Sequence, residues 1–120
     1  MAQSQARAGP PSRSPAIDPA QAQHPGRRDS QQDAFGFSDL GDEAFAAHAG
    51  HLAVLADGMG GMRNGLWAAT HAVQAFIAAY HAKTPEEGIA AALQRALAAA
   101  NAVVHDEAAR LDAVDRMGTT

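Results

Sequence analysis

The sequence predicts an α/β (α+β) domain, and three observations carry that expectation. A dense apolar run, Leu52-Ala53-Val54-Leu55-Ala56, ends in Asp57 and the turn Gly58-Met59-Gly60-Gly61. Beyond that turn the apolar period changes from strand-like to helical. Two long helical patterns then follow one another, and their apolar stripes need a sheet to cover. At 120 residues the chain allows one small domain.

Residues 1–25 are rich in Pro, Gln, Ser and Ala and bury too little apolar surface to offset their ordering entropy. They read as a disordered tail, basic through Arg7 and Arg13, ahead of a folded part over 26–120. Asp33 to Ser38 reads as the first strand, with Phe35 and Phe37 on one face. Ser38-Asp39-Leu40-Gly41-Asp42 supplies turn residues, and Ala44 to Ala47 a short second strand or hairpin arm. The run from His51 to Asp57 is apolar enough for a strand buried on both faces.

Gly58, Gly60 and Gly61 permit positive φ, so the backbone after Asp57 can fold tightly. Asn64-Gly65 offers a polar cap to a helix striped by Leu66, Ala69, Thr70, Val73, Ile77 and Tyr80. Thr84-Pro85-Glu86-Glu87 has the form of a second helix start, with Thr84 as N-cap and Glu87 closing a capping box. Ile89, Leu93, Leu97, Ala100, Val104, Ala108 and Leu111 then trace one stripe. Met117-Gly118-Thr119-Thr120 reads as the start of a further strand, which the sequence as given cuts short.

Composition narrows the classes of function. A formal charge of −4 argues against a general nucleic-acid or anionic-membrane surface. The absence of cysteine removes disulfide scaffolds, thiolate metal sites and cysteine nucleophiles together. No stretch is long and apolar enough for a transmembrane span, and the N-terminus lacks a secretory h-region, so the cytoplasm is the expected compartment.

Chemistry concentrates around Asp57. A carboxylate beside backbone carbonyls is a hard-oxygen donor set suited to Mg²⁺ or Mn²⁺. Alone, a strand followed by Asp-Gly is more often just a turn. Upstream, Arg28 precedes Gln32 and Asp33 by four and five positions, and downstream lies Met117-Gly118-Thr119-Thr120. In that order, Arg28…Gln32-Asp33, Asp57-Gly58-Met59-Gly60-Gly61 and Met-Gly-Thr-Thr resemble the metal-dependent serine/threonine phosphatases of the PP2C (PPM) family, particularly its bacterial branch.

The resemblance covers 26–120 and implies a four-layer αββα sandwich, of which these residues supply the first strands and the first helix pair. It implies hydrolysis of phosphoserine and phosphothreonine on phosphorylated proteins by a metal-activated water at a binuclear Mn²⁺ or Mg²⁺ centre. It further implies substrates of Hanks-type kinases, with no nucleic acid and no membrane. By residue, Asp57 matches the bridging ligand, Gly58 the carbonyl ligand, Asp33 the aspartate holding a metal-bound water, and Arg28 the phosphate clamp. Gln32 takes the place of a frequent glutamate ligand and would bind weakly through its amide oxygen. Gln31 replaces a common asparagine, Met59 a histidine of some members, and Leu66 a frequent glutamate.

The family's further ligand aspartates lie downstream of the matched motifs. Asp106, Asp112 and Asp115 are expected on or just after the second helix, away from the strand end. The alternative function is therefore a catalytically incomplete fragment acting as a binding or regulatory module. Other candidates carry less. His48 and His51 could form a zinc pair but have no further ligands in view. His71 and His81 fall on nearly opposite helix faces, and Trp67 and Phe76 read as packing residues. The glycine turn lacks the spacing of a P-loop or dinucleotide site, and Ser30 and Ser38 lack a serine-hydrolase context.

Overall fold

The computed structural model describes residues 16–114 and 116–120, with Met62 and Arg63 followed in the backbone alone. Residues 1–15 of the expected tail, and Asp115, lie outside the described residues. Residues 16–25 are exposed and form neither helix nor strand. Elements follow in the order β1 (Asp33–Phe37), α1 (Glu43–Ala49), β2 (Ala53–Met59), α2 (Gly61–His81), α3 (Ile89–Arg110) and β3 (Gly118–Thr119). The fold is mixed α/β, with three helices and a small sheet ordered β1-β2-β3 among the described residues. Both strand pairs are antiparallel. No helix among the described residues is long and apolar enough to cross a membrane.

Antiparallel pairing with β1 sets the faces of β2. Ala34 lies opposite Ala56, and Gly36 opposite Val54. These positions meet Ala69, Val73 and Ile77 of α2. The other face carries Phe35 and Phe37, whose rings meet edge to face with centroids 6.1 Å apart, and Leu55, which is 73% exposed. The expectation that β2 is buried on both faces is thus corrected: α2 covers one face, and no helix covers the other, which residues 21–24 border beside Phe35 and Leu55. Ser38 extends the pairing, exchanging bonds with Leu52 through its backbone N–H and its Oγ, each 2.9 Å.

Ala44 to Ala47 is helical, which corrects the expected strand. The Asp42 carboxylate accepts the Phe45 N–H at 2.9 Å and caps α1. Phe45 and Ala49, four positions apart, then face Tyr80, Ala92 and Ala96. A helix presents that pair to the core together, whereas a strand serves the alternating pattern that Ala44–Ala47 lacks.

α2 begins at Gly61, ahead of the expected cap at Asn64-Gly65. β2 runs on through Met59 because β3 pairs with Gly58 and Met59. The whole reversal therefore falls on Gly60, at φ 124°, and Gly61, at φ 80°. A Cβ on Gly60 would also overlap the Arg116 carbonyl.

The second helix start is likewise corrected. Thr84 accepts the Glu87 N–H in a turn, and α3 starts at Ile89 with Gly88 as its N-cap. Glu87 serves a different partner, since Arg95 donates to both its oxygens at 2.9 and 2.8 Å. That bonding holds the Glu87 carboxyl below its ordinary range.

The stripe of α3 holds at Ala100, Val104 and Ala108 and is corrected elsewhere. Ala92, Ala96, Ala100, Val104 and Ala108 are buried, while Ile89, Leu93, Leu97 and Leu111 are exposed. α2 offers Ala68 and Ala72 to this contact. Small side chains on both helices let the backbones approach closely, and that approach turns the larger residues of α3 to the flank. Leu97 there borders a groove of about 400 Å³ lined also by Val54, Phe76, Val104 and Met117.

Candidate metal centre

The two carboxylates singled out by the sequence meet across one rung of the sheet, Asp33 directly opposite Asp57. Residues paired across strands point to the same face, here the open face of Phe35 and Leu55. The backbone bonds fix the kind of rung. Asp57 turns its backbone to β3, donating to Thr120 O at 2.7 Å and accepting the Thr120 N–H at 2.9 Å. On the β1 side the bonded neighbour is Gly58, whose N–H donates to Gln32 O at 3.2 Å. Asp33 and Asp57 therefore occupy a non-hydrogen-bonded rung, where side chains stand closest, with Cβ atoms about 4.5–5.5 Å apart.

Each carboxylate has a distinct setting. Asp33 is half-buried, and its Oδ2 accepts from Gln31 Nε2 at 2.9 Å. Its carbonyl accepts from Gln23 Nε2 at 3.2 Å. Asp57 is exposed, and its own carbonyl is engaged by the Thr119 hydroxyl at 2.8 Å as well as by the Thr120 N–H. The strand end is thus fixed from both sides while the Asp57 carboxylate stays open to solvent.

Gly58 is buried beside them, in ordinary strand conformation rather than at positive φ. Glycine is required there for another reason. A Cβ on Gly58 would overlap the Gly65 carbonyl and lie 2.7 Å from Gln32 O. A Cβ on Gly65 would overlap Gln32 Oε1 in turn. The first turn of α2 is therefore pressed directly onto the strand end, with the Gln32 carboxamide wedged against it. Gln32 faces α2, on the side of the strand end opposite the two carboxylates.

Arg28 is exposed in the turn before β1, where its N–H donates to Pro25 O at 3.1 Å. Its side chain bonds neither carboxylate. Asp106 and Asp112 are exposed, on and just after α3. Among the described residues no group of three or more His, Cys, Asp or Glu side chains is placed to hold a metal ion. The histidines are dispersed. His48 faces Lys83. His71 stacks on Trp67 with centroids 3.8 Å apart. His51 has both ring nitrogens buried without a partner.

Three contributors escaped the sequence reading: Gln31 as a donor to Asp33, and Thr119 and Thr120 as the clasp on Asp57. Met-Gly-Thr-Thr signalled a strand, but the Thr119 hydroxyl bonds a residue 62 positions away, and no local pattern reports that.

Two carboxylates share one face, Asp57 open to water and Asp33 lining a cleft with Gln31 and His24. Carboxylate oxygens are hard donors, and two of them alone fall short of a divalent cation's ligand count. Comparisons with protein family models, with curated proteins and with solved structures find no match.

Proposed function

We propose that residues 26–120 are the N-terminal part of a PP2C-type phosphatase domain that hydrolyses phosphoserine and phosphothreonine on proteins. The observation that supports this most is the Asp33–Asp57 rung. The motif order alone assigns the two aspartates to one centre, and the register puts them directly opposite on one face.

In this reading Asp57 and the Gly58 carbonyl would hold Mn²⁺ or Mg²⁺, and Asp33 would orient a water beside it. A bound divalent ion would supply a lowered water pKa and neutralisation of phosphoryl charge. Gln31 fixes the Asp33 carboxylate by donating to Oδ2. Thr119 and Thr120 fix the Asp57 backbone, so its side chain projects from a rigid strand rather than a loop. Arg28 suits a phosphate clamp because its guanidinium is planar, permanently charged and exposed.

The test is hydrolysis of p-nitrophenyl phosphate and of a phosphothreonine peptide with and without Mn²⁺, beside Asp57→Ala. Hydrolysis that requires Mn²⁺ and falls at least about 100-fold in the variant supports this reading, whereas no hydrolysis by either protein makes these residues the catalytically incomplete binding or regulatory module. Mn²⁺-independent hydrolysis, or equal rates in the two proteins, would remove Asp57 from the reaction.

A further inference from the structure

We propose that residues 21–24 and the helix-free face of the sheet form a cleft that selects phosphopeptides by the side chains flanking the phosphoresidue. The proposal rests on the phosphatase reading and names the kind of substrate it takes. Residues 21–24 form one wall, and Asp33, Phe35 and Leu55, with Gln31, form the other. The space between them is about 450 Å³. That lies within the usual size of ligand sites, roughly 300–1,000 Å³.

The outer wall is fixed by its own bonds. Gly58 bonds Gln32, so the ladder between β1 and β2 runs through Gln32, Ala34 and Gly36. Asp33 O is left at the outer edge of β1, where Gln23 Nε2 donates to it at 3.2 Å. His24 Nδ1 accepts the Gly26 N–H at 2.9 Å, and Pro25 O accepts the Arg28 N–H at 3.1 Å. An accepting Nδ1 places the His24 ring proton on Nε2. The wall thus carries neutral N–H donors from His24 and the glutamine amides, which suit the carbonyls of an extended peptide. Held in place beforehand, it adds little ordering cost on binding.

The inner wall sets the preference. Asp33 belongs both to the cleft and to the Asp33–Asp57 rung. Phe35 and Leu55 lie one rung further on the same face, two positions along each strand. A phosphoresidue seated at the rung therefore places a neighbouring side chain over Phe35 and Leu55. Leu55 is 73% exposed, and an apolar neighbour would remove its surface from water. No lysine or arginine lines the cleft among the described residues, and two carboxylates stand at its end. An acidic neighbour would meet like charge there without a partner. The occupant is accordingly a phosphopeptide with apolar residues beside the phosphoresidue.

Fluorescence polarisation in Mn²⁺ buffer tests this with two labelled peptides bearing a non-hydrolysable phosphonate analogue of phosphothreonine. They differ only in carrying leucine or glutamate on both sides of the analogue. The leucine peptide is expected to bind at least about tenfold tighter. Leu55→Lys replaces the apolar floor with a partner for acid, and Gln23→Ala frees the outer wall from Asp33. Each is expected to bring the ratio below about threefold. Equal binding of the two peptides, no binding of either, or a ratio unmoved in both variants would overturn the cleft. Turnover of the matching phosphopeptides is scored separately. A leucine preference in binding without turnover would uphold the cleft while removing the catalytic reading.

Discussion

Two like charges opposite each other on the closest kind of rung destabilise a sheet, and Asp33 and Asp57 are placed that way. Apolar or neutral pairs would serve the fold better at this rung. The consequence is measurable without any phosphatase assay. In metal-free buffer, Asp57→Asn is expected to stabilise the chain by about 0.2–1 kcal/mol, read as a higher urea midpoint. Mn²⁺ is expected to raise the melting temperature of the natural chain and leave the variant near its metal-free value. A variant less stable than the natural chain without metal would mean that the rung is not under electrostatic load.

At the level of elements, the end of α3 shows how a helix stops without its preferred residue. Asp112 adopts φ 51°, the Ala113 N–H reaches Ala108 O at 2.7 Å, and the Asp112 N–H reaches Ala109 O at 3.1 Å. That is a Schellman closure with aspartate where glycine is usual, and Ala113 tucks into the core beside Ala108. Asp112→Gly is expected to raise stability by about 0.5–1 kcal/mol in urea unfolding, because glycine meets no Cβ penalty there. The elements differ in how plainly the sequence announced them. β1 and β2 were legible from apolar runs bounded by turn residues, and the start of β3 only from the Met-Gly-Thr-Thr motif. α1 was not, because alanine serves helix and strand patterns alike and the Asp42 cap carries the decision. The start of α3 was misplaced because Thr84 and Glu87 fit a capping box equally well on paper, and only the fold brings Arg95 to Glu87. The buried stripe of α3 was misread for a related reason. Apolar size pointed to Ile89, Leu93 and Leu97, while the closeness of α2 selects alanine. At the candidate centre the two aspartates were legible from their motifs. The roles of Gln31 and Thr120 depend on register and were not.

Among the described residues, one sheet carries helices on a single side. α2 covers the face of Ala34, Val54 and Ala56, and the opposite face presents Phe35, Phe37 and Leu55. An apolar sheet face of this kind is an association hazard. Leu55→Glu is expected to reduce self-association in sedimentation velocity while changing the urea midpoint by no more than about 0.5 kcal/mol equivalent. Association that persists undiminished would place the contact elsewhere.

The clasp between Thr119 and Asp57 also has a bearing on time. Its two ends are 62 positions apart, and the two helices that separate them are each closed by local backbone bonds. Helices of that kind form in microseconds, whereas closing a long loop onto a strand comes later. On a ribosome adding about 5–20 residues per second, Thr119 emerges about 3–12 s after Asp57. Throughout that interval β2 has β1 for a neighbour but not β3, and a two-stranded ribbon is barely stable in water. The aspartate pair thus acquires its final rigidity last, after the helices have already folded.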